Sequence, residues 1–392
     1  MTTLRTQVAI VGAGPAGLTL AALLHQAGIE SVVLEDRSRA YVEARIRAGV
    51  LEQGTVEALE RAGVADRLHR EGIEHGGIHL QFAGTRHHIP MRELTGGRCI
   101  VVYGQTEVVK DLIAARLAAA LPLYFEAADV SVHDFETDAP YVLFEHEGAA
   151  HRLDCDVIAG CDGFHGVCRP AVARALSTFE REYPYAWLGI LAEAAPSSEE
   201  LVYAHHEHGF ALLSLRSPTL SRLYLQCRPD EDLGEWPDER IWEELRTRTA
   251  LDGWSLNEGP ILEQGVTPMR SFVAEPMQYG RLHLAGDAAH IVPPTGAKGL
   301  NLAVHDVCVL ADALADWYRT GSRAGLDAYS ETCLRRIWRA EHFSYFMTTM
   351  LHRSPEGDAF DERLQLSQLR YVTTSRAAAT SLAENYVGLE TI

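Results

Sequence analysis

The chain has 392 residues, enough for two or three domains, with an ordinary globular share of apolar and charged residues. Its 35 Lys and Arg against 54 Asp and Glu give a net charge of −19, which argues against a nucleic-acid face. Seven cysteines, none in a CxxC pair, read as buried free thiols rather than a disulfide framework or metal site; no metal is expected. No run reaches the ~18 continuous apolar residues of a membrane helix, and the first apolar run is not a signal peptide. A soluble cytoplasmic protein without a membrane or nucleic-acid partner is expected.

Residues 7–17 read QVAIVGAGPAG. An apolar strand, Val8 to Val11, runs into Gly12-x-Gly14-x-x-Gly17. A helical run follows from Leu18, and a second strand, Ser31 to Leu34, ends on Glu35. In that context the glycine spacing has mechanical meaning. Gly12 permits the turn, Gly14 lets the backbone approach a pyrophosphate, and Gly17 lets helix pack on strand. The helix N-terminus offers free N–H groups to phosphate. Glu35, 18 residues past Gly17, is placed for a ribose hydroxyl. The unit predicts a dinucleotide site, and the glycines do not distinguish NAD from FAD.

Farther on, Arg45 and Arg47 suit a phosphate or carboxylate clamp, or a solvated basic loop. The alternation in 74–93, turning at Ala83-Gly84, predicts a hairpin with His75 just before it. A lone histidine there is a structural residue or a proton carrier. A helix is predicted at about 107–120, and short strands at 123–125, 141–144 and 157–158. Cys161-Asp162-Gly163 follows the last of these, as an acid and small residues do where backbone nears a cofactor.

From 181 to 267 strand patterns dominate, broken by a helix at about 237–248, and predict an antiparallel sheet inserted into the nucleotide fold. Its polar set is Tyr203, Ser214, Arg216, Arg222 and Tyr224. Ser214 and Arg216, two apart on one strand, suit one carboxylate, or form a solvated polar face. Residues 281–302 place a strand end at Gly286-Asp287, a turn at Pro293 to Gly296 and a helix from Lys298 to about 314. The remainder reads mainly helical.

The N-terminal glycines, Cys161-Asp162-Gly163, and Gly286-Asp287 with its proline turn, in this order, resemble the single-component flavin aromatic hydroxylases. Arg45 to Gln53, Tyr103 to Glu107, Cys161 to His165, Gly286 to Asn301 and Ala383 to Gly388 extend the resemblance from about residue 6 to 389, toward the members acting on 4-hydroxybenzoate. It implies an α/β fold: a Rossmann-like FAD-binding domain over 1–180, with a hairpin at 74–96 reaching the substrate side. A substrate-binding sheet would span 181–267, and completion of the first domain plus a helical, dimer-forming region 268–392.

It implies FAD held by Gly12, Gly14, Gly17, Glu35, Arg45, Ile46, Arg47, Ala48, Gly49, Val50, Gln105, Asp162, Asp287, Lys298, Gly299, Leu300 and Asn301. The substrate, a small aromatic carboxylate, would meet Tyr203, Ser214, Leu215, Arg216, Tyr224 and Pro294, with dioxygen as co-substrate. The implied reaction is hydroxylation of 4-hydroxybenzoate at C3, or the same chemistry on 4-aminobenzoate or a dihydroxybenzoate. Tyr203, Tyr386 and, at the outer end, His75 would carry the phenolic proton away, Pro294 would offer its carbonyl, and Arg222 would steady the flavin. NADH or NADPH would meet Asp36, Arg37, Tyr41, Arg45, Arg47, His165 and Arg270. An acid at Asp36 would repel a 2′-phosphate, which points to NADH or dual use. A homodimer is implied by the resemblance alone.

Overall fold

A computed structural model describes residues 1–45 and 49–388. Its first core is a six-stranded sheet in the order Gln278–Tyr279, Leu282–Leu284, Val157–Gly160, Val8–Val11, Ser31–Leu34, Leu123–Tyr124. All neighbours pair in parallel except the Gln278–Tyr279 edge. Val8–Val11 is buried along its whole length, as a strand covered on both faces must be. The helix Pro15–Gln26 packs on this sheet, and the helix Gly299–Thr320 packs on that helix.

A four-stranded sheet flanks it, with Thr2–Arg5 paired in parallel to Ala149–Asp154. The sequence offers no sign of the Thr2–Arg5 strand. It is a mostly exposed edge with little apolar pattern, and its partner lies far along the chain.

The second core is an eight-stranded sheet. It runs His290–Ile291, Ile261–Glu275, Ser177–Ala192, Leu220–Cys227, Ala211–Ser217, Val202–Ala204, Ile78–Phe82, Thr85–Ile89. Register separates its faces. Tyr203 opposes Leu212 and Leu80, Leu212 opposes Tyr224, and Ser214 opposes Arg222, so these share one side. The other side, with Val202, Leu213, Leu223 and Leu225, packs on Trp242 and Leu245 of the helix Asp238–Arg248. The first side packs on the C-terminal helices through Phe343, Met347 and Tyr386.

The expected divisions at 180 and 267 fall inside the strands Ser177–Ala192 and Ile261–Glu275. These strands are 16 and 15 residues long and pair along nearly their full length, so a pair of continuous rails joins the two cores. Among the described residues no helix is long and apolar enough to cross a membrane.

Candidate active site

The glycine turn has the tightness its spacing demands. Gly12 has φ +105°, and a Cβ there would lie 2.3 Å from the Cys161 carbonyl oxygen; at Gly17 it would lie 2.0 Å from the Gly12 carbonyl. Gly14 has nothing within 4 Å of a Cβ position and caps the helix Pro15–Gln26, leaving an open approach to free N–H groups. Glu35 closes the unit. Its carboxylate accepts from the Ala13 N–H at 2.7 Å and the Arg37 N–H at 3.0 Å. Burial, abetted by neighbouring Asp36, raises its pKa to about 7 despite those two donors.

Beside this turn, Asp162 accepts from the Cys168 N–H through Oδ2, while its buried Oδ1 has no partner among the described residues. Asp287 projects exposed from the short turn Gly286–Ala288. Behind it, buried Asp306 accepts from the Gly286 N–H and from His290 Nε2 at 2.6 Å. Burial opposes a charge on His290, but Asp306 outweighs it and raises the histidine pKa. Gly299, first residue of a 22-residue helix, again has open space at its Cβ position. Two open helix N-termini, a half-satisfied buried carboxylate and an exposed one form a donor and acceptor set suited to FAD.

The side chains of Lys298 and Asn301 turn into the protein. Lys298 Nζ is buried, paired with Glu52 and donating to the Tyr386 carbonyl at 3.0 Å. Arg336 also binds Glu52. The Asn301 amide accepts from the Glu52 N–H and the Thr55 hydroxyl and donates to the Val50 and Ala297 carbonyls. Both side chains therefore brace the protein, and the backbone of Lys298 to Asn301 is what remains for a ligand.

Gly49 packs against the Tyr103 carbonyl, and Gln105 opens the helix Gln105–Ala118. Arg45 is exposed at the end of the helix Arg39–Ala44. Ile46, Arg47 and Ala48 lie outside the described residues.

On the substrate side the two tyrosines meet. Tyr203 and Tyr386 are 2% and 1% exposed, and their hydroxyls bond to each other. Burial raises both pKa values, so both rings stay protonated. Arg216 donates to the Leu215 carbonyl at 3.2 Å, and burial is the main force lowering its pKa, opposed by the nearby Tyr224. Ser214 is buried on the same face. Arg222 lies over Gly189, where a Cβ would come 2.9 Å from its guanidinium. Its Nε and Nη1 are buried without a hydrogen-bond partner among the described residues, with Glu263 3.7 Å away. Pro294 begins a short turn, and its carbonyl accepts from the Ala297 N–H.

His75 departs from its expected place at an outer end. It is buried, neither ring nitrogen has a partner among the described residues, and burial lowers its pKa. The short strand Ile73–His75 pairs with Ile100–Val102, which puts the ring inside.

Of the described residues expected to meet a nicotinamide, Asp36, Arg37, Tyr41, Arg45 and His165 are exposed and Arg270 is half-buried. Asp36 and Arg37 pair at 3.4 Å, and Arg37 lies over the exposed Tyr41 ring. His165 is exposed beside Phe164, and Arg270 sits over the same Phe164 ring while pairing with Glu180. Sequence reading passed over Glu52, Asp306 and His290. Their only sequence signal is a charged residue within an otherwise apolar stretch.

The FAD binding domain family matches residues 5–344. The chain is 50% identical over 391 residues to the p-hydroxybenzoate hydroxylase of Acinetobacter baylyi, covering 99% of this chain and 96% of that one. It is 26% identical over 337 residues to the 3-amino-4-hydroxybenzoate 2-monooxygenase of Streptomyces cremeus, covering 79% and 78%. In fold it is similar to the p-nitrophenol 4-monooxygenase of Pseudomonas putida, with a TM-score of 0.83, 20% identity and full coverage of both chains.

Proposed function

The chain belongs to the FAD binding domain family and, within it, to that of the p-hydroxybenzoate hydroxylases, and from that premise we propose that it hydroxylates 4-hydroxybenzoate at C3 to 3,4-dihydroxybenzoate. Gly12, Gly14, Gly17, Glu35, Asp162, Asp287 and the backbone from Lys298 to Asn301 would hold FAD. When bound, FAD accepts two electrons from a reduced nicotinamide and activates dioxygen for electrophilic attack on the ring.

The protein's part is binding, proton handling and exclusion of water. Ser214, Arg216 and Tyr224 grip the substrate carboxylate, a charge-assisted contact in a buried site. Leu215 backs that strand, and Pro294 lies toward the ring hydroxyl. The substrate attacks far better as a phenolate, so its 4-hydroxyl proton has to leave. The observation that carries the reading is the buried Tyr203–Tyr386 pair. Each hydroxyl both donates and accepts, so a proton taken at Tyr203 emerges at Tyr386 without a charged base beside the ring. His75, neutral and with neither nitrogen bonded among the described residues, is the proposed acceptor beyond Tyr386. Arg222 supplies buried positive charge that favours anions nearby.

The exposed acid at Asp36 supports NADH or dual use as reductant. The seven free cysteines support a cytoplasmic setting. Exposed Phe360, Leu364 and Tyr371 on the helix Ala359–Thr374 support a homodimer. The test is product analysis with NADH and NADPH across a panel of benzoates. Stoichiometric 3,4-dihydroxybenzoate from 4-hydroxybenzoate is expected. Coenzyme oxidation yielding only peroxide would reduce that compound to an effector and overturn the assignment.

A further inference from the structure

Away from the hydroxylation site, the hairpin Ile78–Phe82/Thr85–Ile89 carries a cluster the reaction does not use. His79 and His88 are direct cross-strand partners, with ring centroids 4.9 Å apart. Glu200, two residues before the strand Val202–Ala204 that pairs with the hairpin, reaches over both. Its Oε2 lies 2.8 Å from His88 Nε2 and 3.9 Å from His79 Nε2. One donor atom from each of the three lies within 4.8 Å of the others. Gly77 makes the room: a Cβ there would come 2.2 Å from His88 Nε2 and 3.0 Å from Glu200 Oε2. The side chains are 24%, 47% and 19% exposed, so the cluster is shaped by the fold yet reachable from solvent.

We propose that His79, His88 and Glu200 bind one divalent transition cation of the zinc class. Two imidazole nitrogens and one carboxylate oxygen are a borderline donor set that suits Zn2+ or Cu2+ and gives Mg2+ and Ca2+ little hold. Donors about 2.0–2.1 Å from a tetrahedral ion sit roughly 3.3 Å from one another, between the two distances seen here. Water completes the coordination. Nearby Arg86 is drawn aside, bonded to Gln81 and lying over the Trp254 ring. The ion would join the hairpin to the segment leading into its neighbouring strand, stapling the outer edge of the substrate sheet.

Equilibrium dialysis of the chelator-treated, FAD-loaded protein against Zn2+ tests this directly. One saturable equivalent is expected, with its Kd weakened at least ~10-fold in His88→Ala and in Glu200→Gln. His87→Ala, on the other face of the same strand, should bind as wild type does. With Cu2+ in place of Zn2+, electron paramagnetic resonance should show two coordinated nitrogens in wild type and one in His88→Ala. Circular dichroism and the flavin spectrum establish that each variant is folded. Absence of a saturable site, an unchanged Kd in both ligand variants, or equal binding of Mg2+ would overturn the proposal.

Discussion

Removing either hydroxyl of the buried tyrosine pair should cost more, relative to its size, than removing both. In Tyr203→Phe the Tyr386 hydroxyl stays buried and loses its partner; in Tyr386→Phe the roles reverse. A buried polar group left unsatisfied costs about 1–3 kcal/mol. The double variant leaves no orphan. It gives up one hydrogen bond, worth about 0.5–1.5 kcal/mol net, for two apolar ring edges. The two single losses should therefore exceed the double loss by about 0.5–5 kcal/mol, which overlaps the range found for residues in direct contact. Urea denaturation of the FAD-loaded, substrate-free protein, followed by circular dichroism, supplies all four corners of the cycle. Product formed per NADH consumed supplies the functional reading, which should collapse in both single variants while substrate still binds. Additivity within about 0.3–0.5 kcal/mol would show that the hydroxyls do not act on each other. Unchanged product yield in both single variants would remove the pair from the proton path.

Arg216→Ala should raise the Kd for 4-hydroxybenzoate by about 10- to 1000-fold in a flavin-perturbation titration, and a change within twofold would refute the carboxylate grip. Glu35 has a folded pKa raised from 4.5 to about 7, so its contribution to stability is full below 4.5 and is lost as pH rises through 7. The Tm of the cofactor-free protein should thus fall more steeply between these values in wild type than in Glu35→Gln; equal slopes would refute the burial argument. Lys298→Met should destabilise the protein by about 3 kcal/mol in chemical denaturation, because Glu52 loses one of its two cationic partners among the described residues. It should also lower product yield by releasing the Tyr386 carbonyl, and a variant as stable and as productive as wild type would contradict both roles. The ratio of kcat/KM for NADH and NADPH should be at least even, and Asp36→Arg should move it toward NADPH; a large wild-type preference for NADPH would show that Asp36 does not govern the choice.

The nucleotide unit was legible because its information is local. Strand, glycine turn, helix and acid fall within about thirty residues, and steric limits at Gly12 and Gly17 leave little freedom in how such a segment closes. The alternation around Tyr203, Ser214, Arg222 and Tyr224 likewise announced a sheet with a polar set on one face. Which residues meet across that sheet was not legible, because register is a property of two strands and alternation belongs to each alone.

The contacts that hold the site join distant segments. The Tyr203–Tyr386 pair, expected only from the resemblance, spans 183 residues, and the unforeseen Lys298–Glu52 pair spans 246. His75 was expected near solvent and is buried, since a short three-stranded sheet turns its ring inward. The Asn301 amide is held by four protein partners, which leaves the backbone of its turn for a ligand. By itself, then, the sequence determined the presence of a dinucleotide turn, the alternating polar strand face and the candidate residue types, because local sterics and periodicity suffice for these. Tertiary structure alone decided which side chains face the ligand and which brace the fold, because burial and hydrogen-bond satisfaction depend on neighbours hundreds of residues away.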